Sequence, residues 1–109
     1  MAWIYLVAAG LLEIGWPVGL KLAQEPASRT LGIAIAVAFM AGSGALLWLA
    51  QRDIPIGTAY AVWTGIGAFG TAAIGIVWFK DPATFWRVAF LVGLIGCIIG
   101  LKVVSPDEE

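Results

Sequence analysis

Long apolar stretches alternate with short polar breaks along the whole chain. The four apolar stretches cover residues 2–20, 31–50, 54–79 and 83–104. Each has the length of about 20 residues that an α-helix needs to cross the hydrocarbon core of a bilayer. The pattern therefore predicts an all-α membrane protein with four transmembrane helices joined by short loops, followed by a short polar C-terminal tail at residues 105–109.

The composition supports a lipid environment. Hydrophobic residues make up 61% of the 109-residue chain, charged residues only 12%, and the mean hydropathy is +0.97. Soluble domains contain about 45–50% apolar residues. The net charge of −1 offers no basic field for nucleic acid. There is no histidine, and Cys97 is the single cysteine, so we expect no metal site and no cofactor.

The positive charges indicate how the spans are oriented. With four spans, one side of the membrane holds four basic residues, Lys21, Arg29, Lys80 and Arg87. The other side holds two, Arg52 and Lys102. Cytoplasmic loops normally hold a clear excess of Lys and Arg. This bias is weak, so insertion in both orientations is open.

Glu13 is the acidic residue in the first apolar stretch, and every other residue from 2 to 20 is apolar or small. In a helix over residues 3–21, Glu13 lies roughly 1.5 Å from the middle. A charge at that depth costs several kcal/mol and marks a functional site by default. Glu13 is therefore the predicted binding group for a proton or a cation.

Trp16 and Pro17 follow Glu13 by three and four residues, so all three share one helix face. The indole N–H of Trp16 can donate to the carboxylate. Pro17 lacks the N–H that would bond the carbonyl of Glu13, and we expect it to bend the helix. The alternative is an ordinary proline kink beside a tryptophan.

Three residues on later spans are candidates for the same site. Ser43 lies deep in the second span, where its hydroxyl can reach Glu13 or bond a carbonyl of its own helix. Tyr60 and Trp63 share a face of the third span. Aromatic rings beside a carboxylate suit a cation, although such pairs also serve as simple packing.

Glycines give the last two spans distinct expected roles. Gly65 and Gly67 interrupt the third span and could form a hinge or a surface for tight packing. Gly93, Gly96 and Gly100 lie on the fourth span, with the last two in small-xxx-small register. This second set is a candidate dimer interface, although glycine-rich helices show such spacing by chance.

Several motifs together resemble the small multidrug resistance transporters, over essentially the whole chain. Those that resemble the guanidinium exporter subtype are GLLE at 10–13, Trp16, GLK at 19–21, GTAYAVWTGIGA at 57–68 and GLK at 100–102. In the drug-exporting subtype a glycine usually replaces Trp16, and a serine commonly replaces Thr64. In the guanidinium exporters an alanine usually follows the tryptophan, so Pro17 leaves the local geometry and selectivity open.

The resemblance implies a dual-topology, antiparallel homodimer in the bacterial inner membrane. The two copies of Glu13 would share one site, lined by Trp16, Ser43, Tyr60 and Trp63. The fourth helix would be the main dimer contact and the third the flexing element. The family works by proton-coupled antiport.

These observations together predict a guanidinium/proton antiporter rather than an enzyme. A guanidinium ion is planar and its N–H donors match a carboxylate in bidentate fashion. Protons and substrate would compete for the paired Glu13 carboxylates, and no ATP or cofactor is needed.

Three alternatives stay open. The first is an exporter of quaternary ammonium or other hydrophobic cations, with Pro17 widening the site. The second is a non-transporting membrane subunit with one buried carboxylate, as in rotor-ring proteolipids, which usually have two helices per carboxylate. The third is one subunit of a paired heterodimer with fixed orientation, which the charge ratio permits.

Overall fold

The structure, a computed structural model, describes residues 1–104, and the predicted tail at 105–109 lies outside the described residues. The elements are α1 (Ala2–Glu13), α2 (Gly15–Leu22), a 3-10 turn (Pro26–Ser28), α3 (Arg29–Ala50), α4 (Ile56–Trp78) and α5 (Phe85–Val104). Residues 1–104 contain no β-strand. The all-α prediction is confirmed.

Four segments are long and apolar enough to cross a membrane. They are Ala2–Leu22, Pro26–Ala50, Ile56–Trp78 and Phe85–Val104. The first consists of α1 and α2 together, and the second adds the 3-10 turn to α3. The prediction of four transmembrane helices is therefore confirmed.

The spans pack side by side in a row rather than in a closed bundle. The first span lies between α3 and α4, and α5 packs on the far side of α4. The described part of the chain measures 47 × 34 × 16 Å. None of the residues of α5 is fully buried. Apolar side chains can face outward in this way because lipid solvates them as well as the protein interior does.

The first span is interrupted at Ile14, between α1 and α2. Ile14 keeps helical backbone angles (φ −64°, ψ −32°), and its N–H donates to the carbonyl of Leu11 at 3.2 Å. Pro17 cannot donate to the carbonyl of Glu13, four residues earlier, because proline has no N–H. The predicted disruption therefore occurs next to Glu13, as a change in hydrogen bonding rather than a reversal of direction.

Two glycines bring α2 and α3 into backbone contact. A Cβ atom built on Gly32 would lie 2.5 Å from the carbonyl oxygen of Gly19 and from the amide nitrogen of Ala23. A Cβ on Gly19 would lie 2.7 Å from the carbonyl oxygen of Gly32. Because backbone atoms cannot move aside as a side chain can, no other residue fits at this crossing.

The crossing predicts opposite effects for two alanine substitutions on α3. Gly32→Ala forces the two backbones apart, and we expect a loss of about 1–3 kcal/mol in stability. Gly44→Ala adds a methyl group that meets nothing within 4 Å among the described residues. It should stabilise the helix by about 0.5–1 kcal/mol, because alanine loses less backbone freedom than glycine.

Thermal unfolding of both variants in detergent, followed by circular dichroism, tests this pair. The melting temperature of Gly32→Ala should fall below that of the unchanged protein, while Gly44→Ala should match or exceed it. Equal melting temperatures for the two variants would contradict the backbone contact.

Candidate functional site

Glu13 is the last residue of α1, and its side chain lies against α4. A Cβ atom built on Gly67 would be 2.5 Å from Cγ of Glu13, so the glycine admits the carboxylate-bearing side chain between the two helices. Glu13 is half-buried, and no Lys or Arg forms an ion pair with it within residues 1–104. The helix interruption and Gly67 together position an acidic group without a fixed counter-charge.

Ser43 connects three spans beside this carboxylate. Its side chain is fully buried, and Oγ donates to the carbonyl oxygen of Ala9 on α1 at 2.7 Å. Nε1 of Trp63 on α4 donates to the same Oγ at 2.8 Å. Oε1 of Glu13 is 3.5 Å from Oγ, at the outer limit of a hydrogen bond. A hydroxyl has one proton, and the shorter distance assigns it to Ala9.

This arrangement matches one expectation for Ser43 only in part. The hydroxyl reaches Glu13, but only at 3.5 Å, and it does not bond the carbonyl of its own helix. It bonds the backbone of another span one turn before Glu13. Ser43 therefore fixes the position of α1 relative to α3 and α4, and it leaves the carboxylate oxygens of Glu13 without a short hydrogen bond from its hydroxyl.

Trp16 lines the same cavity as Glu13, as its spacing predicted, but the hydrogen bond that its indole could donate to the carboxylate is not formed within residues 1–104. Within the described residues its indole nitrogen makes no hydrogen bond, to Glu13 or to another group. The prediction assumed one regular helix, but the hydrogen-bond pattern is interrupted at Ile14, between the two residues. Trp63 supplies the indole of the hydrogen-bonded network instead.

A cavity of about 420 Å³ lies between the first span and α4. Glu13, Trp16 and Pro17 line it from one side, and Thr64 and Gly67 line it from the other. The volume falls within the range of about 300–1,000 Å³ that small-molecule sites occupy. The cavity therefore combines one unpaired carboxylate with an indole and a hydroxyl group.

The same cavity extends beyond the helices to a pair of opposite charges. Thr71, about two helix turns beyond Thr64, continues the lining along α4. Asp81, in the loop after α4, and Arg87, near the start of α5, complete it. We call the end at Asp81 and Arg87 the cavity mouth.

Tyr60 does not line this cavity. Its ring is 5.4 Å from that of Trp63, centroid to centroid, and the residue is 56% exposed on the outer side of α4. Trp63, by contrast, is partly buried and reaches Ser43. The structure thus brings Glu13, Ser43 and Trp63 together, adds Trp16 through the cavity, and connects Tyr60 only through the ring of Trp63.

The predicted glycine positions divide into two environments. Gly65 is packed against α5, where a Cβ atom would lie 2.7 Å from Cδ1 of Ile98. Around Gly93, Gly96 and Gly100 a Cβ atom would meet nothing within 4 Å among residues 1–104. The glycine surface of α5 therefore makes no close contact among residues 1–104.

Sequence reasoning did not place Thr71, Asp81 or Arg87 in the site, although all three line the cavity. Thr71 could have been found, because it lies seven residues after Thr64 on the same helix face. Arg87 was considered only as one of the basic residues on one side of the membrane. The cavity depends on how the loop after α4 returns along the first span, and helical spacing carries no information about that path.

Comparison with known proteins identifies the family. The family model described as Small Multidrug Resistance protein matches residues 1–95. The chain is 50% identical over 105 residues to a protein named guanidinium exporter from Yersinia pseudotuberculosis, covering 96% of this chain and 100% of that protein.

Two further proteins with that name show the same similarity. The identity is 50% over 103 residues for the Escherichia coli K12 protein, covering 94% of this chain and 97% of the relative. It is 47% over 105 residues for the Proteus vulgaris protein, covering 96% and 100%. The prediction that the chain is not an enzyme is confirmed. The chain is a multi-pass bacterial membrane protein that belongs to the small multidrug resistance family.

Proposed function

We propose that the protein exports guanidinium from the bacterial cytoplasm across the inner membrane in exchange for protons. The observation that carries this proposal is the half-buried carboxylate of Glu13, which has no cationic partner among residues 1–104 and lines a cavity of about 420 Å³. The names of the relatives at 47–50% identity support the choice of substrate.

The cavity lining fits the chemistry of guanidinium. The ion is planar, carries only N–H donors and is weakly hydrated compared with an ammonium ion. Two of its donors can meet the two oxygens of Glu13, and the hydroxyl of Thr64 can accept from a third. The face of Trp16 offers a further attraction, because an aromatic ring attracts a cation.

The hydrogen bonds of Ser43 keep Glu13 available. The Ser43 proton is directed to Ala9, and the Trp63 proton to Ser43, so neither donor is committed to the carboxylate at short distance. A carboxylate in apolar surroundings is stabilised by binding either a proton or a cation. Because one group serves both, the two ligands exclude each other, and this exclusion couples export to proton entry.

An antiparallel homodimer completes the proposal. The glycine surface at Gly93, Gly96 and Gly100 has room for the close backbone contact that drives helix association in lipid. The weak charge bias is compatible with both orientations. In such a dimer the two Glu13 carboxylates form one shared site, with Pro17, Gly65 and Gly67 as positions where the helices flex.

One observation favours a second candidate function. Pro17 lines the cavity, and a volume of about 420 Å³ exceeds what a guanidinium ion fills. A tetraalkylammonium ion has no N–H donors, and it would bind through charge and aromatic contacts alone. Export of hydrophobic quaternary cations by the same carboxylates is therefore the alternative.

Replacement of Glu13 tests the coupling group. In proteoliposomes, guanidinium should evoke a proton-coupled current in the unchanged protein and none in Glu13→Gln, because the amide binds neither a proton nor a cation in exchange. The matched control is Glu25→Gln, which removes the same charge from an exposed loop position. It should retain the current.

The same assay with a tetraalkylammonium ion separates the two candidate functions. Current with guanidinium alone supports the proposal, and current with the tetraalkylammonium alone supports the alternative. If folded protein gives no current with either ion, both candidates fail. A persistent guanidinium current in Glu13→Gln would remove Glu13 as the coupling group.

The Ser43–Trp63 hydrogen bond is tested by a double-mutant cycle. Ser43→Ala leaves the indole N–H of Trp63 buried without its acceptor, which costs about 1–3 kcal/mol. Trp63→Phe removes that donor, so adding Ser43→Ala to it should cost less than Ser43→Ala alone. We expect a coupling of at least about 0.5 kcal/mol in unfolding measurements in detergent. Strictly additive losses would show that the bond contributes nothing.

Dual topology is tested by labelling. A membrane-impermeant reagent applied to intact cells should reach a C-terminal tag on about half of the molecules, because both orientations are inserted when the charge bias is weak. Labelling after permeabilisation gives the total. A tag that is wholly accessible or wholly protected would replace the homodimer with a subunit of fixed orientation.

A further inference from the structure

Asp81 is held in a fixed position at the cavity mouth. Lys80 adopts a left-handed backbone conformation (φ 60°), which turns the chain after α4. The N–H of Asp81 then donates to the carbonyl of Gly75 at 2.9 Å. Its Oδ2 lies directly against Gly75, where any side chain would collide with it. The turn and this glycine place the carboxylate beside the last turn of α4.

The guanidinium group of Arg87 interacts only weakly with the carboxylate of Asp81. Nη2 of Arg87 is 3.8 Å from Oδ2, and the two side chains are 41% and 45% exposed. This separation is beyond hydrogen-bond distance. Partly exposed pairs without a hydrogen bond contribute little, because water competes with each partner. The guanidinium of Arg87 can therefore leave Asp81 at small cost.

Asp81 also lies where two cavities meet. It lines the cavity that contains Glu13, and it lines a neighbouring cavity of about 140 Å³ together with Lys21 and Phe79. Nζ of Lys21 is 5.9 Å from the ring centroid of Phe79. An ion at the mouth therefore lies next to this carboxylate.

The end of α4 increases the attraction for a cation. The carbonyls at the C-terminus of a helix carry a partial negative charge. Asp81 adds a full negative charge beside that last turn. Arg87 and Lys21 are the basic residues that line the two cavities, among the part of the chain that the structure describes.

We infer that Asp81 is a second cation-binding group, which takes up a guanidinium-type ion at the mouth before it reaches Glu13. Arg87 ends in the same guanidinium group and occupies Asp81 until the incoming ion replaces it. The inference rests on the proposed substrate, and it adds an internal competitor that resembles that substrate. An ion free in solution can adopt the bidentate geometry that the tethered Arg87 does not reach.

The inference predicts opposite shifts for two neighbouring substitutions. In proteoliposomes, Asp81→Asn should raise the guanidinium concentration for half-maximal transport about two- to fivefold, the range expected for one partly exposed charge pair. Arg87→Gln should lower it by a similar factor, because the competitor is gone. Both shifts should shrink at high ionic strength.

Matched controls lie at the opposite end of the spans. Asp53→Asn and Arg52→Gln remove the same charges from the loop between α3 and α4. They should leave the half-maximal concentration unchanged. Asp81→Glu, which keeps the carboxylate, should stay closer to the unchanged protein than Asp81→Asn. A merely structural role would not produce shifts of opposite sign.

The outcomes distinguish a failure of the role of Asp81 from a failure of the proposed transport at Glu13. If the unchanged protein transports guanidinium and Asp81→Asn leaves the half-maximal concentration as it was, Asp81 is not a binding group and the function at Glu13 stands. The same holds if Arg87→Gln raises that concentration as Asp81→Asn does. If the unchanged protein does not transport guanidinium, the proposed function and this inference both fail.

Discussion

A lone carboxylate within an apolar span is the constraint on which the rest of this structure depends. Such a charge costs several kcal/mol in lipid surroundings, and a permanent salt bridge would lower that cost while blocking exchange. The chain instead provides space: the backbone at Gly67 admits the side chain of Glu13, and the cavity lies on its open side. No Lys or Arg within residues 1–104 forms an ion pair with it, which leaves the carboxylate available for the exchange that we propose.

The buried hydroxyl of Ser43 fixes the positions of the helices around Glu13 and leaves the Glu13 carboxylate available. Three spans meet at this one side chain through a donor from Trp63 and an acceptor at Ala9. Because the hydroxyl donates its proton to Ala9, it fixes the helices around Glu13 without forming a short hydrogen bond to the carboxylate. In the row arrangement α5 packs mainly on α4, and a Cβ atom on its glycines would meet nothing within 4 Å among residues 1–104, which leaves this surface for the second copy that we propose.

The sequence predicted the features that depend on local chemistry, and it missed those that depend on the path of the chain. Four spans and an isolated Glu13 follow from hydropathy and charge. Ser43 and Trp63 form a hydrogen bond between α3 and α4, which make few direct contacts because the first span lies between them, so spacing within one helix does not reveal it. Spacing placed Trp16 beside Glu13, and both line the cavity, but the helix is interrupted at Ile14 between them and no hydrogen bond joins them within residues 1–104. Arg87 was used only to count charges on each side of the membrane and Asp81 was not singled out, and only the fold places them in the cavity.

The carboxylates of Glu13 and Asp81, at the two ends of the cavity, differ in how far their charges are compensated. Glu13 lies at mid-span, half-buried and without a cation, so an ion bound there neutralises a charge that nothing else does. Asp81 lies at the mouth, half-exposed and already paired with Arg87, so an ion bound there only replaces another. If both proposals hold, exchange at the mouth is nearly balanced in energy, while binding at Glu13 is not. An ion that passes from Asp81 to Glu13 then moves from weak to strong compensation, and only binding at Glu13 competes with the proton.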